Sequence, residues 1–314
     1  MKTSKKIYLI SPRGFCAGVT RAIEIVELAI KKYGAPVYVN HEIVHNKYVI
    51  DELSDKGAVF LENINDAPTD RPFIFSAHGV SKDVEQHANK NNKIVINATC
   101  PLVTKVHVQA MKFFEMGYRI ILIGHKNHPE VIGTMGQLPK NTIELVETVS
   151  DVMKLSVNDN DKFAYLTQTT LSLDDTKKII EALKIRLPKI SSSPKEDICY
   201  ATSNRQKAIK EYAHLCDAFI VVGSSNSSNS NRLVEVAKNA GCENTILLEN
   251  ELNLNVNDYE LMTSIGISSG ASVPDVLVKN VINKFAKYYQ VTIEELSLGN
   301  ENVTFKLPKE LKVG

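Results

Sequence analysis

Three times along this chain a short apolar run rich in β-branched residues gives way to a helical pattern at a cysteine. The places are Arg13-Gly14-Phe15-Cys16-Ala17-Gly18, Ala98-Thr99-Cys100-Pro101-Leu102 and Asp197-Ile198-Cys199-Tyr200-Ala201-Thr202. A strand, cysteine, helix unit recurring at separations near a third of 314 residues points to repeated α/β modules that deliver three thiols to one shared ligand. Soft sulfur ligands select iron–sulfur clusters, zinc or copper over hard cations. A cubane cluster normally takes four cysteines, so a set of three leaves one metal open to bind substrate.

The rest of the chain alternates in the same way, which predicts an α/β class with three similar modules and mostly parallel sheets. Strands are expected at 6–10, 37–39, 72–75, 93–96, 119–123, 163–166, 218–222 and 264–267. Most of these runs are followed by Gly, Ser, Asn or His, and open parallel sheets bind ligands beyond the carboxyl ends of their strands. The helix after Cys16 carries an apolar stripe of Val19, Ala22, Ile23, Val26 and Ile30. The helix after Cys100 opens on Pro101, which suits a first helical position, and buries Val103, Val106, Ala110 and Phe113. After Cys199 the spacing Ser203 to Gln206 is that of a capping box. The modules are drawn at 1–97, 98–196 and 197–314, the last with a C-terminal tail whose residues 303–312 read as a strand and a short end. Residues 187–194 read as an exposed connection.

Composition removes several functional classes. A net charge of +1 gives no broad basic surface for nucleic acid, so any anion is recognised locally. The apolar run after the basic N-terminus, residues 7–10, is too short for a signal-peptide core, and no stretch has the length of a membrane span. Five cysteines, an odd number, fit a reducing compartment with thiols used as ligands or left unpaired, which gives a cytoplasmic expectation.

Each of the three cysteines opens a helix, whose N-terminus favours negative charge. Taken singly, any of them reads as a small buried filler; the repeated context assigns them as ligands. Cys216 and Cys242 lack that context and are read as structural. Histidines gather just past strand ends, in His41-Glu42-Ile43-Val44-His45-Asn46, Ser76-Ala77-His78-Gly79 and Gly124-His125-Lys126-Asn127-His128-Pro129-Glu130. Imidazole suits phosphate binding and proton transfer near neutral pH. His87, His107 and His214 are read as structural. His41 and His45 have the i, i+4 spacing of two zinc ligands on a helix, without the glutamate pattern of a zinc protease. The Ser/Asn-rich turn 223–232 joins an apolar strand to an amphipathic helix and can offer N–H, hydroxyl and amide groups to an anion, although it lacks the ending of a Walker loop. Ser268 to Asp275 forms a second hydroxyl-rich turn, with Ser272 as a cap or a phosphate donor, and Thr167 to Thr170 a third. Asp174 and Asp175 read as a helix start.

The motifs around Cys16, His41 to Asn46, Ser76 to Val80, Cys100, Gly124 to Val131, Thr167 to Thr170, Cys199 and Asn226 to Arg232 occur in order over essentially the whole chain. Together they closely resemble the 4-hydroxy-3-methylbut-2-enyl diphosphate reductase family, which acts last in the non-mevalonate isoprenoid pathway. Thr20, Asn97 and Ile132 are small departures that replace no ligand. The resemblance implies three α/β domains around a central [4Fe-4S] cluster held by Cys16, Cys100 and Cys199, with one open iron. It implies a diphosphate site drawn from His45, His78, His128, Thr169, Ser227, Ser228, Asn229 and Ser272, with His41 as a further candidate. Glu130 is the implied proton donor, acting with the hydroxyl of Thr169. The implied reaction removes the substrate hydroxyl with two electrons and two protons, giving isopentenyl and dimethylallyl diphosphate. No flavin or nicotinamide fingerprint is present, so a ferredoxin- or flavodoxin-like donor is expected. Two other classes stay open on the residues alone: a non-redox iron–sulfur hydro-lyase acting on a phosphorylated small molecule, and a zinc- or cluster-bearing sensor.

Overall fold

A computed structural model describes residues 2–91, 94–158 and 160–311. Thirteen strands are defined there. The first five are β1 (Ser4–Ser11), β2 (Val37–Asn40), β3 (Ala58–Leu61), β4 (Phe73–Phe75) and β5 (Val95–Asn97). The next four are β6 (Tyr118–Ile123), β7 (Ile143–Val146), β8 (Lys162–Thr167) and β9 (Ser191–Ser192). The last four are β10 (Ala218–Val222), β11 (Thr245–Leu248), β12 (Ser264–Ser269) and β13 (Gln290–Ser297). The helices are α1 (Ala17–Tyr33), α2 (Lys47–Asp55), α3 (Lys82–Asn91), α4 (Pro101–Glu115), α5 (Pro129–Met135), α6 (Val149–Lys154), α7 (Leu173–Arg186), α8 (Tyr200–Tyr212), α9 (Ser228–Asn239) and α10 (Asp275–Tyr288).

The strands form three sheets, ordered β3-β2-β4-β5, β7-β6-β8-β9 and β11-β10-β12-β1-β13. Every pairing among the described residues is parallel. The first four strands of each sheet follow one rule: second, first, third, fourth. For the third sheet the fourth place is taken by β1, from the opposite end of the chain, and β13 adds an outer edge. In each sheet the fourth strand is the one that runs on toward a cysteine: β1 to Cys16, β5 to Cys100 and β9 to Cys199. The linear modules expected from sequence assign β1 to residues 1–97, whereas its ladder partners are β12 and β13.

Alternation along the strands explains the cores. Ile220 and Val222 of β10 face α10 through Leu277, Val278, Val281 and Phe285, while Phe219 and Val221 face Ala208 and Ile209 of α8 and Leu233 and Ala237 of α9. The same division places Ile121 and Ile123 of β6 against α7, and Ile120 and Leu122 against α4. Strands covered on both faces read as unbroken apolar runs, as β10 does. Each fully buried Ile, Leu or Phe in these layers contributes roughly 1.5–3 kcal/mol.

The chain divides into two compact units, one of Met1–Ala17, His45–Val49 and Tyr200–Val303, the other of Gly18–Val44, Ile50–Cys199 and Thr304–Gly314. Helix α8 begins at Tyr200, so Ser203 lies inside the first turn and does not cap it; the expected capping box is displaced because the helix starts directly after Cys199. The stripe of α1 is Val19, Ala22, Ile25, Val26 and Ala29, with Ile23 and Ile30 only half-buried at its margins. Residues 303–308 form no strand. Side chains hold the tail instead, Arg21 Nε donating to the Lys306 carbonyl at 2.8 Å and Lys32 Nζ to that of Glu310 at 2.6 Å. Lys93, in the strand expected at 93–96, lies outside the described residues. Residues 187–194 include the short strand β9, paired with β8.

Asp217 ties the entry of β10 to that of β12. Its Oδ2 accepts from Thr263 N at 2.7 Å, Thr263 Oγ1 at 2.9 Å and Ser264 N at 2.9 Å, and the backbone N–H groups of Ser264 and Thr263 hold its pKa down to about 2 from 3.8. A depressed pKa stabilises the fold above the unfolded value and ceases to do so as pH falls through the folded one. Asp217→Asn is therefore expected to melt below the parent apo-protein above pH 3.8, with the gap closing toward pH 2. A gap independent of pH in thermal denaturation would contradict this.

Candidate functional site

In an open parallel sheet, a ligand crevice forms at the carboxyl ends of the two strands where the winding direction reverses. Here those pairs are β2 with β4, β6 with β8, and β10 with β12. The segments leaving them hold His41, His45 and His78, then His128, Glu130 and Thr169, then Ser227, Ser228, Asn229 and Ser272. All ten non-cysteine residues predicted from sequence thus follow a reversal strand.

In the larger unit the segments after β6 and β8 meet. His128 caps α5, its Nδ1 accepting from Glu130 N at 3.2 Å, and Pro129 takes the first helical position. Glu130 is buried, 3% exposed. Its Oε1 accepts from Thr169 N at 2.6 Å and its Oε2 from Thr169 Oγ1 at 2.8 Å. Burial pushes the Glu130 pKa up from 4.5 to about 7, against the Thr169 hydrogen bonds that favour the charged form and with a smaller push from Asp197. The carboxyl is therefore poised to hold or release a proton near neutral pH. The carbonyl of Thr169 accepts from Cys199 N at 3.0 Å, which joins this pair to the third cysteine turn.

The turn after β4 approaches the same unit's second cysteine. Cys100 N donates to Ala77 O at 3.0 Å. His78 lies edge-on to His128 with ring centroids 6.0 Å apart, and Ser76 Oγ is 3.4 Å from His78 Nδ1. Gly79 has a φ of +80°, and a Cβ there would fall 2.8 Å from His107 Cε1, so the turn presenting His78 requires glycine. His107 is buried and its pKa is lowered to about 4 by burial, which keeps it a neutral packing group beneath that turn. His41, by contrast, has a φ of 54° and its Nδ1 pairs with Glu62. Residues 41–46 are not helical, so the i, i+4 zinc geometry does not arise. Among the described residues no group of three His, Cys, Asp or Glu side chains is arranged around a single ion.

The smaller unit assembles the hydroxyl-rich turns. Ser227 caps α9, its Oγ accepting from Ser230 N at 3.3 Å and from Ser230 Oγ at 3.1 Å. Asn229 is 5% exposed, and neither its Nδ2 nor its Oδ1 has a hydrogen-bond partner. A buried amide without partners costs about 1–3 kcal/mol per group, so its position calls for a polar ligand. Gly223 and Gly270 bring the two turns together, because a Cβ on either would fall within 2.3 Å of Ser230 Oγ. Ser272 Oγ donates to the His45 carbonyl at 3.0 Å, so it links two predicted residues and does not cap α10, whose N-cap is Pro274. Cys16 N donates to Ala271 O at 3.0 Å, and Gly14 N to Ser269 Oγ at 2.9 Å, which fixes the first cysteine turn beside these hydroxyls.

None of the five cysteines is in a disulfide; Cys16, Cys100 and Cys199 are half-buried, whereas Cys216 and Cys242 are buried. Each of the first three precedes a helix of more than ten residues. Thiols of this exposure at helix starts fit an anionic thiolate centre. Sequence reasoning passed over Gln168, which is 1% exposed; its Oε1 accepts from His125 N at 2.9 Å and its Nε2 donates to Thr170 Oγ1 at 3.0 Å. Ser230 was also passed over, since nothing within a Ser/Asn tract marks which hydroxyl turns inward.

Comparison with known proteins bears on the family of the chain. The family model described as LytB protein matches residues 7–286. A curated relative from Ruegeria sp. (strain TM1040), named 4-hydroxy-3-methylbut-2-enyl diphosphate reductase, is 54% identical over 98% of this chain and 97% of its own length. One of the same name from Phenylobacterium zucineum (strain HLK1) is 52% identical over 97% of both chains. The solved E-1-hydroxy-2-methyl-but-2-enyl-4-diphosphate reductase from Plasmodium falciparum superposes with a TM-score of 0.95 at 43% identity, covering 98% of this chain and 97% of that one. A solved (E)-4-hydroxy-3-methyl-but-2-enyl diphosphate reductase, described as the terminal enzyme of the non-mevalonate pathway, gives a TM-score of 0.65 at 30% identity over 90% of this chain and 99% of that one. Matched by the family model across most of its length and by relatives over nearly all of it, this chain belongs to the LytB protein family.

Proposed function

We propose that this chain reduces 4-hydroxy-3-methylbut-2-enyl diphosphate to isopentenyl and dimethylallyl diphosphate, consuming two electrons and two protons and releasing water. The observation that carries the reading is the buried Glu130 carboxyl, held by both polar groups of Thr169, whose carbonyl in turn holds Cys199 N. It sets a group able to donate a proton beside a cysteine turn. The names of the relatives favour the reductase over a non-redox hydro-lyase.

Cys16, Cys100 and Cys199 are the proposed ligands of a [4Fe-4S] cluster. When bound, such a cluster supplies single electrons and an iron without a cysteine ligand, a Lewis acid for the substrate hydroxyl. Glu130 gives the proton that lets the hydroxyl leave as water, and Thr169 Oγ1, 2.8 Å from Oε2, orients it. His45, His78 and His128 offer imidazole donors to the diphosphate, and Ser227, Ser228, Asn229 and Ser272 offer neutral ones. His41 is an outer candidate, already engaged by Glu62. Binding the diphosphate at fixed donors positions the reacting hydroxyl. Electrons come from a ferredoxin- or flavodoxin-like donor, and the proposed compartment is the cytoplasm. Among the described residues no helix is long and apolar enough to cross a membrane.

The deciding experiment is an anaerobic visible spectrum with iron, sulfide and zinc counted on the same sample, before and after substrate, followed by turnover with a reductant. Iron with sulfide, a substrate-dependent spectral change and reductant-dependent product are expected; colourless protein holding stoichiometric zinc after reconstitution would end the reading. Asn229→Ala is expected to raise the KM for the diphosphate about tenfold or more without lowering the melting temperature of the apo-protein, because the amide lost has no partner in the fold. An unchanged KM would remove Asn229 from the binding site.

A further inference from the structure

On the helix that follows each of the three cysteines, one cation reaches back to the chain that leads into another cysteine. Arg21 lies on α1, five residues after Cys16. Its Nη1 donates to the carbonyls of Ala98 at 3.2 Å and Thr99 at 3.1 Å, and its Nη2 to that of Asn97 at 3.3 Å. Those are the three residues before Cys100. Lys105 lies on α4, five residues after Cys100. Its Nζ donates to the carbonyls of Lys195 at 3.0 Å and Glu196 at 2.6 Å and pairs with Asp197 Oδ1 at 3.2 Å, along the approach to Cys199. Arg205 lies on α8, six residues after Cys199, and is fully buried. Its Nη2 donates to the Gly14 carbonyl at 2.8 Å, two residues before Cys16, and its Nη1 reaches both oxygens of Glu301 at 3.1 Å. In chain order the contacts are cyclic: first helix to second cysteine turn, second to third, third to first.

The physical need is common to the three places. Where the chain leaves a strand and runs on toward a cysteine, its carbonyls have no ladder partners and still require donors. Water would satisfy them without fixing the turn. A guanidinium fork or an ammonium on a packed helix satisfies them and fixes the cysteine's approach relative to that helix. Lys105 and Arg205 also have carboxylate partners, in Asp197 and Glu301. Arg21 has none among the described residues, its guanidinium contacts being backbone carbonyls.

We propose that Arg21, Lys105 and Arg205 are positioning residues, each fixing the turn of the cysteine next in cyclic order, and that Arg21 alone also leaves a net positive charge beside its cysteine. The inference rests on the ligand assignment proposed above, since outer groups of this kind orient metal ligands and tune the centre they hold.

The test uses anaerobically reconstituted full-length parent with Arg21→Met, Arg21→Lys, Lys105→Met and Glu301→Gln. Iron and sulfide are counted, loss of the visible band is followed in excess EDTA, and the midpoint potential is measured by dye titration. Arg21→Met, Lys105→Met and Glu301→Gln are expected to lose the cluster about tenfold faster than the parent. Arg21→Met is expected to shift the midpoint to lower potential. Arg21→Lys keeps the charge without the fork, so it is expected to retain the parent midpoint while losing the cluster faster. A merely structural role would lower apo-protein melting without separating these two readouts. Lys105 is one-third exposed, so Lys105→Met carries the test should Arg21→Met fail to fold. Loss rates within about twofold of the parent in the variants that fold would overturn the inference. A parent that takes up no iron and sulfide would instead overturn the ligand assignment.

Discussion

Replacing Glu130 by glutamine is expected to cut reductive turnover by about two to four orders of magnitude, the range of a lost general acid, with iron and sulfide content unchanged. Glutamine fits the same space: its carbonyl can accept from Thr169 N and its amide can donate to Thr169 Oγ1, the two contacts the carboxyl makes at 2.6 and 2.8 Å. What it lacks is a proton to give. In the parent, burial pushes the carboxyl pKa up from 4.5 to about 7, so the acid form is populated below that value and turnover should fall as pH rises above it. The stability effect has a definite sign as well. A raised folded pKa contributes stability below 4.5 that is lost as pH rises through about 7, because the folded state then holds a buried charge. The apo-protein of Glu130→Gln is therefore expected to melt no lower than the parent at pH 8 and to gain on it across that window. Full turnover in the variant would refute the proton-donor assignment, and a lower melting temperature at pH 8 would refute the burial argument.

The strands that escaped sequence reasoning have one property in common. β3, β7, β9, β11 and β13 all lie at sheet edges, and β13 reads Gln290-Val-Thr-Ile-Glu-Glu-Leu-Ser297 with mostly exposed side chains. An edge strand need not be apolar on both faces, so its pattern stands out little from a loop. Central strands such as β6 and β10 are buried on both sides and are plain in the sequence. The place of β1 is a different matter. Its pairing with β12 joins Lys6 to Ser264, and no local pattern encodes a partner that far along the chain.

The turns that make up the candidate site were legible in the sequence because they have unusual composition just past strand ends. Composition named the turns but not their internal geometry. The tract 223–232 holds several serines and asparagines, and only the packing of Gly223 and Gly270 against Ser230 decides that Ser227 caps the helix and that Asn229 turns inward unpartnered. Arg21, Lys105 and Arg205 read as ordinary helix cations, since the carbonyls they hold lie some 80 to 190 residues away in sequence. The turns proposed to touch substrate could thus be picked out from local motifs, and the residues within them from the family resemblance, whereas the cations that hold the turns required the tertiary structure.

Changing Cys100 to serine separates a ligand role from a structural one more cleanly than the other two cysteines allow. Cys100 is the N-cap of α4, its side chain makes no capping hydrogen bond, and Pro101 follows at the first helical position. Serine is among the best N-cap residues and nearly isosteric with cysteine, so the helix should keep its stability or gain a few tenths to about 1 kcal/mol. The backbone bond from residue 100 to the Ala77 carbonyl, 3.0 Å long, does not depend on the side chain. Arg21 would still hold the carbonyls of Asn97, Ala98 and Thr99. An alcohol at this position stays protonated at neutral pH and is a poor ligand for iron where a thiolate is a good one. Cys100→Ser is therefore expected to fold, with an apo melting temperature at or above the parent's, yet to lose most of its iron and sulfide on anaerobic desalting and nearly all reductive turnover. Because the fold is preserved, the loss cannot be charged to unfolding. Full iron retention in a folded Cys100→Ser protein would take Cys100 out of the ligand set and leave the other two cysteines short of the three that the proposed centre requires.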